Sequence, residues 1–346
     1  MATKVSAKND QSVAGLKVWQ WPSIHAALLV VLAASVAYWA GPDAMSELTL
    51  MGLYIVTVVG LNLFMGYAGQ VSLGQAGFFG LGAYAFGIWT TRTIWPVWGG
   101  VVLGMLVAAA VAWILSLFIL RLKTHYLALA TLAFGMMADV AFQALPLTGG
   151  NSGLTNIGSF TWMGHAFSNA DYFGLSWIGV GIAAWLASRV VHSGGRVLLE
   201  TVRSSEIAAT LLGIDPIRVK REMFIVSAIM AAFAGAVYAS WIGYIDPTVF
   251  TFTLSVNFVL MAVVGGMRSV YGAAVGVVLV EGLGQGLKTL GQAISPTLGG
   301  ALELAVYGVI LVIVMMYWPD GVVSAWKDRR RRRVRDAHRP SASSAS

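Results

Sequence analysis

The residues able to do chemistry in this chain are few, and most sit in apolar surroundings. Asp139 and Glu281 fall inside long apolar runs, and Glu303 falls near the start of another. Acids in such places are rare and often functional, as coupling sites, path-lining groups or partners for an ammonium ion; pairing across helices is the plainer role for Asp139 and Glu281. Gln70, Ser72 and Gln75 punctuate the Gly-rich apolar stretch Gly66 to Gly87. Uncharged polar groups are expensive against hydrocarbon, so these three belong against protein or a lumen. Hydrogen bonding to a neighbouring helix is the structural reading, and lining a translocation route is the functional one.

Other chemistry is excluded by residue type. The chain has no Cys, which removes disulfides, thiolate metal sites and thiol nucleophiles, and its five His lack ligand spacing. No nucleophile motif and no His-based acid/base pair is present. Gly282 to Thr289 faintly resembles a phosphate loop, but Leu287 stands where Gly must precede Lys288, and the segment lies in an apolar crossing. The chain is therefore expected to be non-catalytic, with no cofactor or metal of its own, and any ATP chemistry belongs to a partner.

The elements that must position these residues are membrane helices. With 58% hydrophobic residues, 11% charged and a mean hydropathy of +0.76, the composition does not suit a water-soluble fold of 346 residues, since ordinary domains are about a quarter charged. Apolar runs are predicted at Ile24–Ala40, Leu48–Met65, Gly66–Gly87 (bent or broken), Val97–Leu120, Tyr126–Leu145, Phe173–Val191, Met223–Tyr244, Phe250–Gly265, Gly272–Leu287 and Ala301–Trp318. The fold class is thus all-α and polytopic, with about ten transmembrane or re-entrant helices. The eighth and ninth runs are short for a full crossing, and irregular backbone at membrane depth requires burial in protein or a water-filled cavity. The third and eighth runs are both irregular and have opposite parity, which suggests an inverted five-plus-five repeat.

Charge sets the topology. With this set of helices, twenty of the twenty-two Lys and Arg fall on the side of the two termini, and only Arg92 and Lys288 fall on the other. By the positive-inside rule both termini are cytoplasmic, and the net charge of +7 needs no nucleic acid to explain it. The expected organisation is a cytoplasmic tail over residues 1–23, a membrane domain over 24–318 and a basic tail over 319–346. The first run is as short as a signal-peptide core, although a retained helix fits the topology better. Arg329 to Arg333 in the last tail serve topology and attraction to anionic lipid, and Ser341 to Ser346 are of a disordered composition. Pro146–Tyr172, without Lys or Arg, reads as a flexible polar connector on the outer side, or as a contact for an extracytoplasmic protein.

Residues 196–221 form a longer basic loop that reads as a docking element. Ser204 or Ser205 can cap a helix start, Glu206 suits its first turn, and Gly213 suits its end, with Pro216 preventing resumption just after. A helix of about two turns results, with Ile207, Ala208, Leu211 and Leu212 on an apolar side. It fits a groove on a partner; an interfacial helix lying on lipid is the alternative.

Several of these segments together resemble one family. The stretch Gly66-Tyr67-Ala68-Gly69-Gln70-Val71-Ser72-Leu73-Gly74-Gln75, the loop Thr148-Gly149-Gly150-Asn151-Ser152-Gly153-Leu154, and Glu206-Ile207-Ala208-Ala209 with Gly213 are similar to branched-chain amino-acid ABC importer permeases, M-type (LivM-like) in particular. Gly243 to Pro247 and Gly265 to Gly272 share the likeness, which spans about Leu48 to Trp318 and leaves out both tails. The resemblance implies a bacterial inner-membrane importer with a second, different permease subunit, two ATP-binding subunits carrying ATP and Mg, and a periplasmic substrate-binding protein. It also implies that Glu206, Ile207, Ala208, Ala209 and Gly213 belong to the loop that receives the ATPase motion. Urea and short-chain amide permeases share much of the pattern, so substrate stays open between these and branched-chain amino acids. A self-contained ion-coupled transporter is the alternative from another class, and it would give Asp139 and Glu281 the coupling role.

Overall fold

The computed structural model describes residues 43–294, except 94, 123, 163, 193, 194 and 268, together with residues 308 and 309. The first predicted run, the last run apart from residues 308 and 309, Glu303 and both tails lie outside the described residues.

The described chain is helical. Helix α1 spans Asp43–Tyr67 and its last turn, Leu63–Tyr67, is a π-helix. It is followed by α2 Gln75–Arg92, α3 Val97–Ile119, α4 Thr124–Ala144 and α5 Asn169–His192. Two short helices, α6 Gly195–Ser204 and α7 Glu206–Leu211, precede α8 Pro216–Ile242, α9 Phe252–Gly265 and α10 Val270–Ile294. Between α4 and α5, strands β1 Thr161–Trp162 and β2 His165–Ala166 form a small antiparallel hairpin. Among the described residues, α1, α3, α4, α5 and α8 are long and apolar enough to cross a membrane.

Helix α2 is the centre of the packing, clasped by α3 and α8 and touched by α4 and α9. Small residues allow this. A Cβ on Gly82 would stand 2.0 Å from the Ala232 carbonyl oxygen, and one on Gly235 would stand 1.9 Å from that of Phe79. Backbones this close gain dispersion contacts, the main source of helix association where lipid removes the hydrophobic driving force. α9 and α10 meet likewise, through Gly265, Gly272 and Gly276. Around this seam Phe79 contacts the rings of Tyr54, Tyr238, Phe250 and Phe258 at 5.6–6.3 Å. The opposite faces of α3 and α4 expose Leu106, Trp113, Phe118, Leu129, Met137 and Val140, an apolar exterior suited to hydrocarbon.

Several boundaries differ from the sequence reading. The third run does not begin as a helix at Gly66, because residues 68–74 are non-helical and α2 starts only at Gln75. The ninth run is not short: α10 has 25 residues, since polar Lys288 to Gln292 continue the helix beyond the apolar stretch. The eighth is short, at 14 residues. Pro216 does not hold the chain out of helix. It takes the first position of α8, where its missing N–H is no loss, and Asp215 Oδ1 caps the start by accepting from Ile217 N at 3.0 Å and Arg218 N at 3.3 Å.

The connector 146–172 is tied down rather than flexible. Leu154 and Ile245 exchange backbone hydrogen bonds of 3.0 and 2.9 Å, and Ile157 N donates to Gly243 O at 3.2 Å. Gly153, at φ 68°, lies so close to the Ile245 carbonyl oxygen that a Cβ would stand 2.0 Å from it. Phe160 N donates to both Tyr172 Oη and Ser240 Oγ at 3.1 Å. These contacts gather segments 146–172 and 243–251 at one end of the bundle. At the other end Gly66, Arg203, Met267 and Ser269 meet. The charge pattern groups the loops in the same way.

Gly82→Leu is expected to destabilise the detergent-solubilised protein by about 3 kcal/mol, the upper end for overpacking, because α2 and α8 cannot part without opening the core. Gly181→Ala, where nothing lies within 4 Å of the added carbon, should leave thermal unfolding unchanged. Equal melting of both variants would show that the glycine seam is not what holds α2 in place.

Candidate functional site

The break between α1 and α2 places the polar residues of the Gly-rich stretch in the interior. The helix leaves α-geometry at Leu63; Ala68 N donates to Leu63 O at 3.2 Å and Gln70 N to Phe64 O at 3.3 Å. Such π-turns often mark functional positions. Gly69, at φ 73°, then turns the chain. Residues 68–74 must place their backbone groups without a helix ladder, and the break and the start of α2 find partners on three other helices. Thr131 Oγ1 of α4 accepts from Leu73 N at 3.0 Å, and Ser255 Oγ of α9 accepts from Ala76 N at 2.9 Å. Gln75 Nε2 donates to Ser227 O and Oγ of α8, both at 3.1 Å. Ser227 lies eleven residues beyond Pro216, about 16 Å along α8, so α2 begins inside the bundle and not at its end.

Gln70, Ser72 and Gln75 are thus all buried at one break, with 5%, 0% and 1% of their surface exposed. Gln75 is engaged in joining α2 to α8. Ser72 Oγ is buried without a hydrogen-bond partner, as is Asn62 Oδ1, one residue before the π-turn. Asn62 Nδ2 donates to Ser269 O at 3.3 Å, in the α9–α10 connection. The structure does not bring Asp139 and Glu281 to this place. Asp139 is half-buried on the flank of α4, where its Oδ1 accepts from Gln143 Nε2 at 2.8 Å. Glu281 is half-buried on α10, one turn before Gln285, which donates to Glu47 Oε1 at the start of α1.

The second candidate is the docking element, and its turns are rigidly closed. Ser205 Oγ caps α7 by accepting from Ala208 N at 3.2 Å. At the other end Gly213, at φ 78°, supports two bonds, Gly213 N to Thr210 O and Ile214 N to Ala209 O, both 3.0 Å, the pattern of a glycine-terminated helix. Ala209 is fully buried, whereas Ile207, Leu211 and Leu212 are 76%, 83% and 71% exposed, and Ala208 is exposed with them. A hollow of about 550 Å³ opens beside them between α7 and the start of α8. Glu206 Oε1 accepts from Lys220 Nζ at 2.6 Å; the Lys220 side chain is 3% exposed and that of Glu206 58%. This bond holds α7 against α8.

Sequence reasoning did not find Asn62, Thr131, Ser227, Ser255 or Lys220. The four uncharged residues are isolated polar groups in apolar helices, whose partners lie 58 to 207 residues away. Lys220 was visible as one basic residue among several, and only the fold makes it the buried partner of Glu206. Because the buried ammonium needs its carboxylate while the exposed carboxylate can hydrate, the pair is asymmetric. Glu206→Ala is expected to lower stability by about 2 kcal/mol, reduced for the solvent at Glu206, and Lys220→Met by less. Thermal unfolding of the two variants in detergent checks the order, and the reverse order would refute the asymmetry.

The model of the family described as "Branched-chain amino acid transport system / permease component" matches residues 44–315. The high-affinity branched-chain amino acid transport system permease protein LivM of Escherichia coli (strain K12) is 28% identical, covering 85% of this chain and 73% of that protein. The LivM protein of Salmonella typhimurium (strain LT2) is similar to the same extent. No solved structure matches the chain. The family match takes in both the break after Tyr67 and the short helix α7, and the chain belongs to the permease-component family of branched-chain amino acid transport systems.

Proposed function

We propose that this chain is the non-catalytic M-type permease subunit of an ATP-driven importer in the bacterial inner membrane, carrying branched-chain amino acids. The observation that carries the reading is α7, a two-turn helix closed by caps at both ends and offering Ile207, Leu211 and Leu212 to a partner. Six residues do not hold a helix alone. Apolar side chains on a braced helix beside a charged surface suit a groove on an ATP-binding subunit, where hydrolysis takes place. Family membership and the LivM relatives support the transport role.

In this reading a second permease completes the pathway, and a periplasmic binding protein delivers substrate at the end formed by segments 146–172 and 243–251. The termini and the α6–α7 element are cytoplasmic. Gln70, Ser72 and Gln75 line or gate the route at the interrupted crossing. The proposal includes an inverted relation between the halves: α1 leads through residues 68–74 into the short α2, and α8 leads through residues 243–251 into the short α9. Asp139 and Glu281, each placed near its own polar neighbour and apart from the break, serve structure in this reading rather than ion coupling.

Affinity purification of the tagged chain from its native membrane should recover a second permease and ATP-binding subunits. The pair of changes Ile207→Asp and Leu211→Asp should abolish recovery of the ATP-binding subunits at unchanged abundance of this chain. Glu206→Lys and Gly213→Val should lower ATP-dependent leucine uptake about tenfold, since the first removes the α7–α8 tie and the second forces a β-branched residue into the left-handed region. Normal uptake by both at wild-type abundance would refute the coupling role.

A further inference from the structure

The docking element and the interrupted crossing are far apart in sequence but share one side chain. Arg203 lies in the last turn of α6, three residues before Glu206. Its Nη1 donates to the carbonyl oxygen of Gly66 at 2.6 Å. Gly66 sits in the π-turn at the end of α1, where terminal carbonyls lose their helical donors and a cation is favoured by the helix dipole. The stem of Arg203 lies on Gly69, so that a Cβ there would stand 2.7 Å from Cγ. One arginine therefore spans the point at which the crossing stops being helical, with its head on one side and its stem on the other.

The break also faces the second half of the chain. A Cβ on Gly66 would overlap the Met267 carbonyl oxygen, at 1.6 Å, and Asn62 is bonded to Ser269 O. Both lie in the α9–α10 connection, which turns at Gly266, φ 105°. On the docking side α6 runs into α7 without a free joint: Ser205 N donates to Thr201 O at 3.0 Å and Ser205 Oγ caps α7. A displacement of α7 therefore moves the base of Arg203, while its head is bound to the break.

We infer that Arg203 is the positioning residue that transmits movement of the docking helix to the interrupted crossing, through the Gly66 carbonyl. The inference rests on the importer reading and adds to it the route from α7 to the polar residues of the break. Arginine suits the task because its planar head reaches a backbone acceptor while its long stem packs on glycine. The acceptor is a main-chain carbonyl, so no change of side chain at position 66 is needed for the bond to exist.

The test uses the complete complex purified with its partners and reconstituted in proteoliposomes, measuring ATP hydrolysis and leucine uptake together. Arg203→Gln should retain its ATP-binding subunits and their hydrolysis, yet transport about tenfold less leucine per ATP, the size expected for loss of a charged hydrogen bond in one conformational state. Arg203→Lys, which keeps charge and one donor, should recover part of that ratio. Gly69→Ala, which displaces the Arg203 stem and also places a Cβ in the left-handed region, should reproduce the defect. An unchanged ratio in Arg203→Gln and Gly69→Ala overturns the inference, as does loss of the ATP-binding subunits from Arg203→Gln, which would make Arg203 a docking residue. Should Arg203→Gln fail to accumulate, Arg203→Lys and Gly69→Ala decide by the same ratio. Absence of ATP-driven uptake by the unaltered complex would instead overturn the importer reading itself.

Discussion

Backbone polar groups inside an apolar bundle must find partners within the protein, and the non-helical break after Tyr67 makes this constraint local and severe. An unsatisfied group in hydrocarbon costs several kcal/mol, so seven non-helical residues are possible only where other helices supply partners. Thr131 of α4 does so for Leu73 N, and at the start of α2 Ser255 of α9 accepts from Ala76 N and Ser227 of α8 from the Gln75 side chain. Their hydroxyls fix how α2 is set among those helices. The glycine seam between α2 and α8 then follows, since hydroxyl partners reach the break only if the helices approach closely. Gly82 and Gly235 permit that approach.

The same logic separates the two ends of the bundle. Around the 243–251 turn the chain solves its backbone problem with main-chain pairing, Leu154 to Ile245 and Ile157 to Gly243, and with Tyr172 and Ser240. That end is closed by many bonds of ordinary strength. At the opposite end side chains take a larger part, with contacts that include Arg203 to Gly66, Asn62 to Ser269 and Lys220 to Glu206.

The docking element shows how a very short helix is made stiff. Isolated, six residues lose too much conformational entropy to stay helical. Here Ser205 satisfies one terminus, the Gly213 turn the other, Ala209 is buried beneath, and Lys220 ties the first turn to α8. With the frame fixed in this way, Ile207, Leu211 and Leu212 are free to face outward. Their exposure follows from the brace and is not a failure of burial.

Read from the sequence alone, the class of the molecule, the positions of most helices and the short helix α7 with its cap residues were already legible. They depend on local causes: long apolar runs, the bias of Lys and Arg, a serine three residues before an amide in need of a cap, a glycine where a left-handed turn is required. Gln70, Ser72 and Gln75 were recognisable as buried polar groups for the same reason, because composition shows that they have no water to face. Which groups they meet was not legible, nor was the start of α2 at Gln75, the opening of α8 by Pro216, the length of α10, or the anchoring of the 146–172 segment. Each of these depends on a partner distant in the chain, such as Ser227 for Gln75 or Ile245 for Leu154. The sequence by itself determined where apolar surface and charge must go, since those are properties of single residues and their near neighbours. Only the tertiary structure decided that Arg203 meets Gly66 and that Lys220 is buried beneath Glu206, because hydrogen bonds are directional, short-ranged contacts that exist only once the helices are packed.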